Sequence, residues 1–148
     1  MIGKTNILIA VNEIFISRSL SLLLTEKGYR VETVRSSKQA WERIQNGFNP
    51  DVLFVDDLSS DFCGLQLCQK IKENSQHQNI YVIWITDRWR KYDIEKAKLV
   101  GINEYMTKPF SPSKITRRMR EILNARNDEK TGQSEKHHQP DTDSTYAF

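Results

Sequence analysis

At 148 residues the chain has room for one domain and a tail, and its 38% hydrophobic and 28% charged residues suit a globular unit with a solvated surface. No apolar run approaches the roughly 18 residues of a membrane span and the N-terminus lacks a signal-peptide pattern, so a cytoplasmic protein without membrane contact is expected. The net charge of +3 is unevenly spread: residues 1–85 hold nine Lys/Arg and nine Asp/Glu, residues 86–126 eleven against five, and residues 127–148 two against five.

In chain order, Asn6 to Val11 is a short apolar strand. Ile16, Leu20, Leu23 and Leu24 then come with helical spacing, and Gly28 stands where a C-terminal cap belongs. Tyr29 to Val34 alternates as a second strand. Ser36 or Ser37 can cap a helix that carries Ala40, Trp41 and Ile44 on one face and stops at Gly47. Val52-Leu53-Phe54-Val55 is a continuous apolar run that ends on Asp56-Asp57, the pattern of a strand buried on both faces. Asp56 either caps the segment after the strand or stands at the edge where such sheets bind ligands.

Leu67, Cys68 and Ile71 mark a third helix ending near Asn74. Cys63 and Cys68 are too close for a useful bridge and lack a second ligand pair, so both read as free thiols. Tyr81 to Ile85 is the most hydrophobic strand and finishes at Thr86. A basic helix from about Lys91 carries Ile94, Ala97 and Val100 and stops at Gly101. Glu104 to Thr107 is a fifth strand. Ser111-Pro112 opens a last helix, with Ile115, Met119, Ile122 and Leu123 facing inward. Trp41 and Trp84 read as core, and Trp89 as a turn residue. From Asn127 onward periodicity stops. Residues 1–126 are therefore taken as the domain and 127–148 as a disordered polar tail, with His137-His138 solvated and Tyr146-Ala147-Phe148 a weak docking-tag candidate.

Five strands alternating with five helices require a parallel sheet covered on both faces, with the site at the carboxyl ends of the strands. Those ends carry Val11, Asn12 and Glu13, then Asp56 and Asp57, then Thr86 and Asp87, then Lys108. A carboxylate, a hydroxyl and an ammonium meeting at one point suit a phosphoryl group, the carboxylate as nucleophile and the other two on the oxyanions.

On Phe54-Val55-Asp56, Gly64-Leu65-Gln66-Leu67-Cys68, Ile83-Trp84-Ile85-Thr86 and Tyr105-Met106-Thr107-Lys108-Pro109-Phe110, the sequence resembles the response-regulator receiver domain of two-component signalling. The resemblance covers residues 5–125. It implies a flavodoxin-like, doubly wound (βα)5 fold with strand order 2-1-3-4-5. It also implies Asp56 as phosphoacceptor from a histidine kinase or phosphotransfer protein. Thr86 matches the switch hydroxyl, Tyr105 the switch aromatic and Lys108 the lysine that pairs with the acyl phosphate, with a cis Lys108–Pro109 bond. The remodelled surface would be the fourth helix, fifth strand and fifth helix, where the positive surplus lies.

The chain departs from the receiver pattern at Val11 and Asn12, where two acids normally hold Mg²⁺. Asp56, the Asn12 amide and the backbone carbonyl of Leu58 are the remaining ligands, so a weakened Mg²⁺ site is expected. Asp87 replaces a small residue, either repelling phosphate or serving as a substitute ligand. Ser59-Ser60 replaces Met-Pro, and Arg88 is a candidate to stand in for the missing cation. The leading expectation is a stand-alone receiver without catalytic output of its own, its switch face binding a downstream protein. The alternative is a phosphorylation-independent pseudo-receiver that acts as a docking or dimerisation module. A homodimer through the last two helices stays open. Flavodoxin and haloacid dehalogenase readings lack their loop after the first strand. Arg117, Arg118 and Arg120 without stacking aromatics fit an acidic protein face better than nucleic acid.

Overall fold

The computed structural model describes residues 5–56, 64–86, 91–108, 111–131 and 145–147; of 91–93, 127–131 and 145–147 it describes the backbone alone. Strands β1 (Asn6–Ala10), β2 (Arg30–Val34), β3 (Val52–Val55), β4 (Tyr81–Thr86) and β5 (Glu104–Thr107) alternate with helices α1 (Ile14–Glu26), α2 (Ser37–Gln45), α3 (Gly64–Glu73), α4 (Lys91–Leu99) and α5 (Pro112–Thr131). The five strands are parallel in the order β2-β1-β3-β4-β5, as expected. A sixth, β6 (Thr145–Ala147), pairs antiparallel with β5. No helix among the described residues is long and apolar enough to cross a membrane.

The period-two alternation of the strands divides the core into two layers. Leu8, Leu53, Val55, Val82, Trp84 and Tyr105 point to the layer that holds Ala40, Ile44, Leu67, Cys68, Ile71 and Ala97. Ile7, Ile9, Val52, Phe54, Ile83, Ile85 and Met106 point the other way, against Leu20, Leu24, Ile115, Met119 and Ile122. Each large aliphatic side chain taken fully out of water contributes about 1.5–3 kcal/mol, so the two layers supply most of the drive to fold. Trp84 is buried as expected, whereas Trp41 is only partly so and lies at the margin of its layer.

The local punctuation of the sequence acts as expected. The Ser36 hydroxyl accepts the Gln39 amide at 3.1 Å, and the Ser111 hydroxyl accepts the Lys114 amide at 3.2 Å. Gly28, Gly47 and Gly101 come after helices at positive φ. At Gly101 there is a second constraint, because a Cβ there would stand 2.6 Å from Cγ of Lys72. Lys72 runs over that glycine so that its ammonium donates to the carbonyls of Ile80 (2.7 Å) and Gln78 (3.2 Å) and to Oδ1 of Asn103 (3.3 Å). Burial lowers its pKa, and the acceptors hold the charge in place.

Two stretches of the segment expected to be unstructured form elements. Helix α5 continues past Arg126 to Thr131, and residues 145–147 form β6. Extending an existing helix adds a hydrogen bond for each residue fixed, and pairing with a sheet edge uses the backbone, so neither needs the apolar periodicity that marks the other elements in the sequence. His137, His138, Phe148, Cys63, Trp89 and the Lys108–Pro109 bond lie outside the described residues.

The edge of the sheet holds a buried ionic group. Glu104, at the start of β5, is fully buried. Arg118 of α5 donates to it through Nη2 at 2.6 Å and Nε at 2.9 Å, and the Tyr81 hydroxyl donates at 2.5 Å. Arg118 is therefore not part of a solvent-facing basic patch; its side chain is 13% exposed, and Arg117 and Arg120 are the exposed arginines of that helix. Burial and the Glu104 carboxylate push the Tyr81 pKa well above its ordinary 10.0. A group whose folded pKa is raised contributes stability that is complete below its unfolded value and is lost as pH rises beyond it. Tyr81→Phe is therefore expected to lower stability at neutral pH by about 1 kcal/mol and to flatten the loss of stability above pH ~10, read from urea unfolding as a function of pH.

Candidate functional site

The parallel register sets the strand ends side by side. Ala10 lies opposite Val55, Val55 opposite Trp84, and Thr86 opposite Thr107. The next residue on each strand leaves the sheet at the same edge, which brings Val11, Asn12, Asp56, Thr86 and Lys108 to one end of the fold. Asp56 is the first polar side chain after a strand of four fully buried ones. Its Oδ2 accepts the backbone amide of Asn12 at 2.9 Å, and this bond orients the carboxylate. Oδ1 has no hydrogen-bond partner among the described residues.

Thr86 is buried at the end of β4, and its carbonyl accepts the Lys108 amide at 2.8 Å. The Lys108 ammonium reaches back across the crevice to Glu13, 3.4 Å from Oε2. The sequence puts Glu13 at this edge without a role, and the structure makes it the counter-ion of the site lysine. Tyr105 is buried, with its ring 6.1 Å from that of Trp84 at 52°. The Trp84 indole N–H donates to the Asp56 backbone carbonyl at 3.1 Å. Trp84 thus touches both Asp56 and Tyr105, a link hidden in a sequence where it reads as one more core aromatic.

Val11 is buried and belongs to the apolar layer under α1 and α5, so it presents nothing to the crevice. Asn12 is exposed. Among the described residues no three His, Cys, Asp or Glu side chains converge as a metal cluster. Asp57, Leu58, Ser59, Ser60, Asp87 and Arg88, each with a role or an alternative expected from the sequence, lie outside the described residues.

Comparison with known proteins gives the family. Residues 7–120 match the sequence model of the response regulator receiver domain. The chain belongs to that family. Protein PilG of Pseudomonas aeruginosa is 32% identical over 100 residues, 68% of this chain and 73% of that protein. Chemotaxis protein CheY1 of Helicobacter pylori is 28% identical over 72% of this chain and 86% of its own length. The phosphate regulon transcriptional regulatory protein PhoB of P. aeruginosa is 28% identical over 83% of this chain, which spans only 53% of that relative. Among solved structures, a CheY-like receiver domain protein from Methanospirillum hungatei superposes with a TM-score of 0.77 at 22% identity, over 86% of this chain and 99% of that one. Residues 7–120 are thus a receiver domain of the kind found in two-component signalling. Receivers of this family generally bind Mg²⁺ for phosphorylation and work between histidine kinases or phosphotransfer proteins and downstream effectors.

Because this receiver ties its Asp56 backbone to the Trp84 indole, Trp84→Phe removes a hydrogen bond and part of a packed ring at once. The variant is expected to lose roughly 1–2 kcal/mol of stability, measured by urea unfolding followed by circular dichroism.

Proposed function

We propose that this receiver accepts a phosphoryl group on Asp56 and uses it to remodel the face formed by α4, β5 and α5. The observation that carries the reading is the Asp56 carboxylate at the end of the central strand, held through Oδ2 by the Asn12 amide at 2.9 Å while Oδ1 has no hydrogen-bond partner among the described residues. In the step, Oδ1 attacks the phosphorus of a phosphohistidine. The P–N bond breaks, the imidazole leaves with a proton, and an acyl phosphate forms on Asp56. The Lys108 ammonium exchanges Glu13 for a phosphoryl oxygen. The Thr86 hydroxyl donates to another, and Tyr105 responds to the movement of Thr86. Exposed Ile14 and Phe15, the latter 81% accessible, come directly after Glu13 and offer an apolar rim for the phosphodonor protein. The domain has no catalytic output of its own. Lys96, Lys98, Arg117 and Arg120 are exposed on α4 and α5, which favours a downstream protein with an acidic surface over nucleic acid.

The described residues do not make a full Mg²⁺ site. Val11 supplies no donor, Asn12 supplies a neutral amide, and the Glu13 carboxylate lies 3.4 Å from the Lys108 ammonium. The reading is of a weakened site, and therefore of slow phosphorylation with a shallow dependence on Mg²⁺. The same observation favours a second reading, a docking module that does not depend on phosphate.

Incubation with acetyl phosphate and with a phosphorylated phosphotransfer protein, each with and without Mg²⁺ and read by intact mass, separates the two. One added phosphoryl group that is absent from Asp56→Asn is expected. An unmodified mass with both donors would leave the docking module as the function.

A further inference from the structure

The order β2-β1-β3-β4-β5-β6 makes the fifth strand an interior one only because residues 145–147 lie beside it. The pairing sets Ala147 opposite Glu104, Tyr146 opposite Tyr105 and Thr145 opposite Met106. It is the one antiparallel pairing in the sheet among the described residues, and it joins the edge at the middle of the face that phosphorylation is proposed to remodel.

The connection allows this within one chain. Helix α5 has 20 residues, about 30 Å of rise, and leads away from the end of β5 where β6 begins. The residues between Thr131 and Thr145 can span at most about 50 Å when extended, enough for the return. The strand is preceded in sequence by Asp141 and Asp143, in a segment with two Lys/Arg and five Asp/Glu, and the helices on either side of β5 in sequence, α4 and α5, carry exposed Lys96, Lys98 and Arg117, the last paired with Glu121.

The strand is short. Each backbone hydrogen bond contributes about 1 kcal/mol net, while fixing each residue costs roughly 1–2 kcal/mol, so a three-residue pairing is near balance and depends on its tether. A tether of about this length supplies an effective concentration of about millimolar. We propose that the outer edge of β5 is a strand-addition site for an extended peptide, filled by the chain's own residues 145–147, so that a partner segment using this edge must first displace them.

The test compares the full chain with Tyr146→Pro, which removes the central backbone N–H of β6. Amide exchange is measured by NMR on both proteins, then repeated with a synthetic peptide of residues 141–148 at about 1 mM. In the variant, the β5 amides that face outward are expected to exchange about twofold faster, the loss that a pairing near balance allows, with β1 and β3 unchanged. The free peptide should restore their protection in the variant and leave the unaltered chain as it was. Equal exchange in the two proteins, or a peptide that protects neither, would overturn the proposal. So would protection that rises with protein concentration alongside a doubled sedimentation mass, since the strand would then come from a second copy. No phosphodonor is present, so the result stands apart from whether Asp56 is phosphorylated.

Discussion

A strand buried on both faces admits no polar side chain until it leaves the sheet. Val52 to Val55 are all fully buried, each side chain committed to one of two opposed apolar layers. That constraint fixes where chemistry can start. Asp56 is the first position on the central strand at which a carboxylate can stand near solvent and still be held by the scaffold. The neighbouring strands are in register with it, so their own first polar residues arrive at the same place. The site is thus a consequence of close packing at the middle of the sheet, and the bond from the Asn12 amide is a final adjustment to a carboxylate already positioned by its strand.

The edge of the sheet works by a different balance. Glu104, Arg118 and Tyr81 form a buried polar group in which a planar guanidinium meets a carboxylate through two nitrogens and a phenol completes the set. Ion pairs taken out of water are weak contributors to net stability, but removing one member leaves an uncompensated charge. The group therefore acts more as a locator than as a source of stability. It sets α5 against the ends of β4 and β5 in one arrangement, whereas the aliphatic contacts around it would tolerate several. Lys72 does the same at the other layer, joining α3 to the entry of β4 and to the turn before β5 across a glycine that leaves room for it.

Most of the scaffold was legible because it rests on periodicity and punctuation. Period-two and helical spacing gave the ten elements of the parallel fold, and serines and glycines gave their ends. Asp56, Asn12, Thr86 and Lys108 were legible as residues at strand ends, since register alone brings them to one edge. Partnership was not legible. Nothing in the spacing of Glu13 and Lys108 announces an ion pair across the crevice, and Arg118 looks like its neighbours Arg117 and Arg120 until the fold turns it to Glu104. Trp84 shows the same limit: hydropathy reports its ring and is silent about the N–H at its rim. The sixth strand escaped for a third reason. Its pairing is made by backbone groups, which every residue but proline possesses, so polar composition was a poor guide to residues 145–147.

The sequence separation of the last two strands has a consequence for synthesis. Every other neighbour in the sheet is complete once α5 has formed, but the chain must lengthen well past Thr131 before β5 acquires its outer partner. At translation rates of about 5–20 residues per second, the interval between the end of β5 and the arrival of Thr145 is roughly 2–8 s. The exit channel of the ribosome encloses the newest residues, so β5 emerges only as that interval closes and its edge stays bare until residues 145–147 follow it out. An edge that gains its partner last is the one another chain can reach first, so the order of synthesis leaves this side of the sheet the most open to intermolecular strand pairing.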